Sequence, residues 1–287
     1  MGYIHIENLY KGQDILLFKE CYALEKIHGT SAKVQYRRGE GVTYSSGGSS
    51  HKVFCSLFND ALLLEKCIAL GREKVTIHGE AYGGKCQGMS GIYGKDLRFI
   101  VFDIKLDDTW LCVPDMDQLA QSLGFEVVDW HRVPTDVEVL NTHRDNPSVQ
   151  AARNGCGEDK PREGIVIRPL IELRKNNDER IIAKHKQEAF SERDTPQKIV
   201  DPAKLKVLAE SEAIAQEWVT EMRLTHVLDK LKAETIEATR DVVAAMVEDV
   251  LREAAGEIVD SRAARRAVGS RAARLFHERL RSALEGE

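Results

Sequence analysis

Lys26 lies in the stretch Glu25-Lys26-Ile27-His28-Gly29-Thr30, directly after the short apolar run Cys21 to Leu24. A lysine at the end of a predicted strand, with glycine three positions on, sets an amine on a rigid edge beside a backbone turn that can approach a ligand closely. A nucleophilic lysine is presented in this way. Taken alone, so short a pattern reads first as a surface lysine before a turn. A second cationic stretch, Ile182-Ala183-Lys184-His185-Lys186, changes that weight. Period-two alternation points Lys184 and Lys186 to one sheet face, flanking His185. Two lysines turned inward from an apolar strand are costly without an anion between them, and phosphate is the obvious anion. The plainer alternative is a solvated edge strand on which lysine discourages aggregation.

Three further stretches place a charged or aromatic group at the end of a predicted strand: Ile77 to Gly83 with Glu80, Phe99 to Ile104 with Phe102, and Glu163 to Arg168 with Glu163. Singly, Glu80 reads as a strand cap, Phe102 as core and Glu163 as an exposed loop acid. Their weight comes from following Lys26 in order.

The elements that must position these residues are short strands. Residues 20–25, 32–36 and 42–45 read as strands joined by a turn through Arg37-Arg38-Gly39-Glu40-Gly41. Apolar residues from Leu57 to Leu70 recur at helical spacing, and Gly71 stands where a helix stops. Residues 75–81 and 97–106 follow as strands, separated by a loop from Gly83 to Gly94 that lacks the Gly-Lys-Ser/Thr ending of a phosphate-cradling loop and reads as flexible. A helix over 115–123 closed by Gly124, a strand over 125–130, a helix over 136–143, and strands over 163–170 and 180–186 complete this part. Residues 1–19 form a lead-in strand or loop. Many strands with short turns and few helices make an α+β domain built on antiparallel sheets, over residues 1–198.

At Asp201-Pro202 the texture changes, with aspartate as N-cap and proline at the first helical position. Apolar stripes at Val242, Met246 and Val250, and then at Ala264, Val268, Ala272, Phe276 and Leu280, predict a small all-α C-terminal domain over residues 199–287. Between Ser261 and Arg281 seven arginines (Arg262, Arg265, Arg266, Arg271, Arg274, Arg279, Arg281) face one acid, Glu278. Such a face suits either RNA phosphates or a solvated or protein-contacting surface.

The chain has 287 residues, 43% hydrophobic and 30% charged, which fits an ordinary globular protein of one large and one small domain. No apolar stretch reaches the ~20 residues of a membrane helix and Met1 to Tyr10 is no leader, so a cytoplasmic protein is expected. The net charge of −5 argues against indiscriminate attraction to nucleic acid, so any polyanion site must be local. Six scattered cysteines offer neither a zinc ribbon nor a redox pair and are expected as free thiols.

Across residues 25 to 192 the five stretches, in this order, resemble the motif set of the covalent nucleotidyltransferases, the superfamily of ATP-dependent DNA ligases, RNA ligases and capping guanylyltransferases. The variant Glu-Lys-Ile-His-Gly-Thr, with histidine where DNA ligases usually carry aspartate, and the lysine pair followed by Phe190-Ser191-Glu192 are similar to the RNA ligase 2 family. The resemblance implies an antiparallel-sheet nucleotidyltransferase (ATP-grasp-like ligase) domain. It also implies three steps: Lys26 attacks the α-phosphate of ATP, AMP passes to an RNA 5′-phosphate, and a 3′-hydroxyl displaces AMP. A lysine amine, with an ordinary pKa of about 10.4, needs nearby cations to lose its proton at neutral pH, and Lys184, Lys186 and a divalent metal are expected to supply them.

On the matching positions, Glu25 meets adenine through its backbone with Ile27 beside it. Glu80 contacts the ribose side, Phe102 stacks on adenine, and Lys184 and Lys186 hold the α-phosphate. Glu163 holds metal-bound water, Glu80 and Glu163 being the carboxylates for Mg²⁺ or Mn²⁺, and His28 supports a step after adenylation. The expected partners are RNA with 3′-hydroxyl and 5′-phosphate ends and an end-healing kinase or phosphatase. One departure stands out. The family carries a nucleotide-contacting arginine shortly before the glycine-containing loop that follows the second strand, and here Tyr44-Ser45-Ser46-Gly47-Gly48 stands there, with Arg37, Arg38, His51 and Lys52 as the available substitutes. A helical tail, with no Arg-x-Asp-Lys match, disfavours DNA ligases and capping enzymes. The remaining alternatives are a DNA ligase with an atypical C-terminal domain and a binding protein that kept the pocket but lost catalysis.

Overall fold

A computed structural model describes residues 2–48, 50–192 and 210–285, which fall into two compact units, one up to Gln187 and one from Glu188 onward. The predicted boundary at residue 198 and the helix start at Asp201-Pro202 lie outside the described residues.

Among the described residues the first unit is built on ten strands: β1 (Glu7–Asn8), β2 (Glu20–Lys26), β3 (Thr30–Arg37), β4 (Gly41–Ser46), β5 (Lys74–Tyr82), β6 (Arg98–Leu106), β7 (Thr109–Trp110), β8 (Trp130–Pro134), β9 (Gly164–Pro169) and β10 (Ala183–Lys186). They form two five-stranded sheets, ordered β1-β10-β9-β2-β8 and β4-β3-β5-β6-β7, antiparallel except for the β1–β10 pair. The helices are α1 (His51–Cys55), α2 (Asp60–Ala69), α3 (Ser90–Tyr93), α4 (Val113–Leu123), α5 (Val137–Asp145) and α6 (Val149–Arg153). Leu63 and Cys67 of α2 and Met116 and Ala120 of α4 close one core with Val34, Ile77, Ile100 and Ile104 of the second sheet.

The strand and helix expectations hold with three corrections. The helix expected from Leu57 to Leu70 begins only at Asp60, where the Asn59 side chain accepts a hydrogen bond from Leu62 N at 3.2 Å, and a separate short helix, α1, precedes it. Residues 125–129 are not a strand. They cross from one sheet to the other, bonding β6 through Val101 N to Glu126 O (2.8 Å) and Val128 N to Val101 O (3.0 Å), and β2 through Glu25 N to Asp129 O (2.7 Å). The loop from Gly83 to Gly94 is packed rather than loose: it holds α3 and buries Cys86, Gln87 and Tyr93. Two of the predicted stops are as expected, Gly71 and Gly124 having φ of +65° and +93°.

A buried ionic knot ties the sheets together. Asp103 of β6, fully buried, accepts from Arg168 of β9 (Nη1, 3.1 Å) and from Arg180 (Nη1, 2.6 Å). Both guanidiniums also pair with Glu172, and Tyr3 Oη donates to Asp103 Oδ2 at 2.6 Å. The Arg180 guanidinium lies 4.2 Å from the Trp110 ring centre.

Every described element of the second unit is helical, and among them are α7 (Ser211–Trp218), α8 (Glu221–Leu231), α9 (Thr239–Glu253) and α10 (Arg262–Glu285). Trp218, Leu224, Met246, Val268 and Phe276 meet in one core. Arg223 is buried within it, ion-paired with Asp249 and donating to the carbonyls of Trp218 (2.9 Å) and Glu192 (3.2 Å). No helix among the described residues is long and apolar enough to cross a membrane, and all six cysteines are free.

Removing one partner from a buried ion pair strands the other charge. Asp103→Ala, which leaves two buried guanidiniums short of a counterion, is expected to cost about 3–5 kcal/mol, read as a lower unfolding midpoint in urea.

Candidate active site

The last residue of β2, Lys26, lies opposite Gly164 of β9, and Gly164 in turn lies opposite Lys186 of β10. Alternation then puts Lys26, Lys184 and Lys186 on the same face of the sheet. The residue before Gly164 is Glu163, and its carboxylate takes both lysines: Lys26 Nζ is 2.8 Å from Oε2 and Lys186 Nζ is 3.0 Å from Oε1. His28 Nδ1 is 3.4 Å from Oε2. Burial alone would raise the Glu163 carboxyl, but Lys26, Lys186 and His28 outweigh it and hold the acid well below the usual carboxylate range. Lys184 is buried on the same face.

Gly164 makes this meeting of strands possible. Its φ is +149°, and a Cβ there would come to 2.7 Å of Lys186 Cα and closer still to the His185 carbonyl. Gly29 does the same for the turn after Lys26. A Cβ there would come to 2.9 Å of Tyr82 Cβ and closer to the Ala81 carbonyl, so only glycine lets the turn lie against β5. Its N–H bonds the Glu80 carboxylate. Burial, with Glu163 nearby, pushes Glu80 up to about 8, against the pull of Lys26, Gly29 and Lys186. The Gly29 turn thus touches the chain's own strand at the carboxylate expected to meet the ribose.

The other expected residues fall in distinct places. Glu25 points to the opposite face from Lys26, where Ser148 Oγ (2.5 Å), Val149 N (3.0 Å) and Gln150 N (3.2 Å) donate to its carboxylate at the start of α6. The Ile27 side chain is core. Phe102 lies in the bulge where the β5–β6 register shifts, half-buried, with the Tyr3 ring edge-on at 4.9 Å. His185 turns away from the lysines toward α5, its Nε2 2.8 Å from Asn141 Oδ1. Burial and Arg144 hold its pKa at about 4, so the imidazole is neutral. Among the described residues no group of three or more His, Cys, Asp or Glu is assembled for a metal ion.

Of the candidates for the missing arginine, Arg37 and Arg38 stand at the far end of β3, paired with Glu40 (3.9 Å) and Glu73 (2.7 Å). Lys33, which sequence reasoning passed over, lies on the Glu80 face: Ser31 opposes Glu80 and Lys33 opposes His78. Asp103 and Arg168 belong to two of the motif stretches but received no role, because nothing local in sequence says that one residue on each sheet will meet. Tyr93 was missed too; its hydroxyl accepts from His28 N at 3.3 Å.

Two outcomes follow from this geometry. Gly164→Ala should force β9 and β10 apart and lower the melting temperature, by overpacking worth about 1–3 kcal/mol. Glu80 holds its proton when folded up to about pH 8 but sheds it near its ordinary 4.5 when unfolded, so stability falls as pH rises between those values. Glu80→Gln should flatten that slope in melting curves across pH.

The sequence pattern of the RNA ligase family matches residues 19–186, the whole span from β2 to the end of β10. Solved structures share the fold. A lysine-to-methionine variant of a Naegleria gruberi RNA ligase with AMP and Mn aligns with TM-score 0.52 at 16% identity, covering 66% of this chain and 57% of that one. A lysine-to-alanine variant of the same ligase, solved apo, gives 0.52 at 17% identity over the same shares, and a glutamate-to-alanine variant with AMP and Mn gives 0.51 at 16% over the same shares. The chain thus spans little more than half the length of these relatives, and no curated protein matches it. The pattern takes in the nucleophile-like lysine, the paired carboxylate and both strand lysines together, over more than half the sequence, and the chain belongs to the RNA ligase family.

Proposed function

We propose that the chain is an ATP-dependent RNA ligase that works through AMP bonded to Lys26 and joins RNA 3′-hydroxyl to 5′-phosphate ends. The observation that carries this reading is the single carboxylate, Glu163, shared by Lys26 and Lys186. An ammonium paired with a carboxylate has no lone pair to offer, so Lys26 must give up a proton before it attacks. The α-phosphate of ATP is the anion that competes for both lysines, with Lys184 on the same face. Lys26 Nζ, once neutral, bonds to the α-phosphorus, the bond from that phosphorus to the pyrophosphate oxygen breaks, and the nitrogen's second proton leaves to solvent. Lys184 and Lys186 offset the charge that gathers on the phosphoryl oxygens.

The same exchange releases Glu163. With Glu80 it makes an oxygen-only pair suited to Mg²⁺ or Mn²⁺, and a cation beside Glu80 offsets what burial costs an acid pushed up to about 8. When bound, the ion neutralises phosphate charge. The resemblance assigns adenine to the Phe102 ring and the backbone of Glu25, with Ile27 beside it, and the ribose to Glu80. AMP next passes from Lys26 to an RNA 5′-phosphate, and a 3′-hydroxyl displaces it. His28, beside Glu163, serves these later steps. The Naegleria ligases solved with AMP and Mn are in line with this cofactor use.

In the helical unit Arg265 is held by Asp260 (2.6 Å), Arg271 by the Val219 carbonyl (2.9 Å) and Arg279 by Thr225 (2.6 Å). Arg262, Arg266, Arg274 and Arg281 of α10 are exposed and are the cations we assign to RNA phosphates. An end-healing kinase or phosphatase would supply the ends to be joined.

The test is direct. Incubated with α-labelled ATP and Mg²⁺ or Mn²⁺, the wild-type chain should retain label after denaturation and Lys26→Ala should not. A wild type that takes up no label ends the proposal at its first step.

A further inference from the structure

Residues on both sides of Lys26 lead to the same short helix. On one side, the carboxylate of Glu25 takes the Ser148 hydroxyl and the N–H groups of Val149 and Gln150, the first residues of α6. On the other, His28 N–H donates to Tyr93 Oη at 3.3 Å, and the Tyr93 carbonyl accepts from Asn154 Nδ2 at 2.9 Å, just past the end of α6. Gln150, fully buried, adds a cross-brace by donating to Tyr82 Oη (2.9 Å) and Asn154 Oδ1 (3.2 Å). Tyr82 packs edge-on against Tyr93 at 5.4 Å. The chain of contacts is closed: Glu25, α6, Asn154, Tyr93, His28, and back through Ile27 and Lys26.

Inside the protein such bonds are short of competing water, and a closed ring of them admits few alternative arrangements. Lys26 sits on the arc of that ring, so the ring, rather than the strand pairing alone, sets where its amine points. We propose that α6 is the strut that aims Lys26 and that Glu25, Asn154 and Tyr93 are positioning residues for it. They act through backbone placement, and none is required to touch the nucleotide with its side chain. Attack on phosphorus demands alignment with the departing oxygen, and small displacements of a nucleophile cost rate far more than binding.

This inference rests on the proposed lysine chemistry, and its test separates the two. Single-turnover adenylation of the full chain is measured against ATP concentration for wild type, Glu25→Gln, Tyr93→Phe and Asn154→Ala, alongside sealing of RNA that already carries AMP on its 5′-phosphate. Glu25→Gln keeps the size of the side chain but exchanges one accepting oxygen for a donor, and Tyr93→Phe keeps the ring and deletes the acceptor, so each loosens one end of the strut without emptying the core. The expected result is adenylation slowed roughly tenfold to a hundredfold at saturating ATP, half-saturation by ATP in Tyr93→Phe and Asn154→Ala within about twofold of wild type, and sealing of pre-adenylated RNA by Asn154→Ala largely kept. Adenylation at the wild-type rate in both Glu25→Gln and Tyr93→Phe overturns the strut. So does a loss shared equally by adenylation and by sealing in Asn154→Ala, which marks a merely structural defect. No adenylation in wild type would instead overturn the lysine chemistry beneath it.

Discussion

One carboxylate sets the terms for the site. Glu163 is buried and flanked by two ammonium groups, and each of its oxygens carries one of them. Without it, Lys26 and Lys186 would face each other across a glycine with like charge and little water to screen it. With it, both cations are held on one sheet face and in register while no phosphate is bound. The rest of the first unit can be understood as the means of bringing β2, β9 and β10 together tightly enough for this. Gly164 removes the side chain that would part the strands, and Gly29 lets the following turn close against Glu80.

A site between two sheets also needs the sheets to hold their spacing. The Asp103 knot does this with buried charge, joining β6 to β9 through Arg168 and to the chain before β10 through Arg180. Burial of so many ionised groups is tolerable because each finds partners: Asp103 takes two guanidiniums and a hydroxyl, and Glu172 takes both guanidiniums again. Burial and Asp103 push the Tyr3 hydroxyl far up, so it remains a donor within the knot. The crossing segment 125–129 adds backbone bonds to one strand of each sheet.

Much of this was legible in the sequence where a local signal and the final structure agree. The alternation of Lys184 and Lys186, the glycine after Lys26 and the glycine stops at Gly71 and Gly124 work through spacing or backbone conformation, which neighbours in sequence decide. The lysine cluster was readable because its members recur in a known order. Hidden were features created by distant pairing. Asp103 and Arg168 looked like strand residues, and only the facing of two sheets makes them partners. Residues 125–129 have the apolar content of a strand, but they cross between the sheets and bond one strand of each instead of pairing along either. The five residues of α6 are too few for a periodic signal, and Glu25, read for its backbone, gave no hint that its side chain would start a helix.

The run Lys184-His185-Lys186 reads as three successive basic groups, yet its imidazole is turned to α5 and uncharged above about pH 5. The charge of the strand itself therefore lies on one face, where Lys186 pairs with Glu163, and behind it the neutral ring stands between Asn141 and the Arg144 guanidinium, which Asp145 pairs. Sidedness of this kind gathers the positive charge of the strand locally in a protein whose net charge is −5.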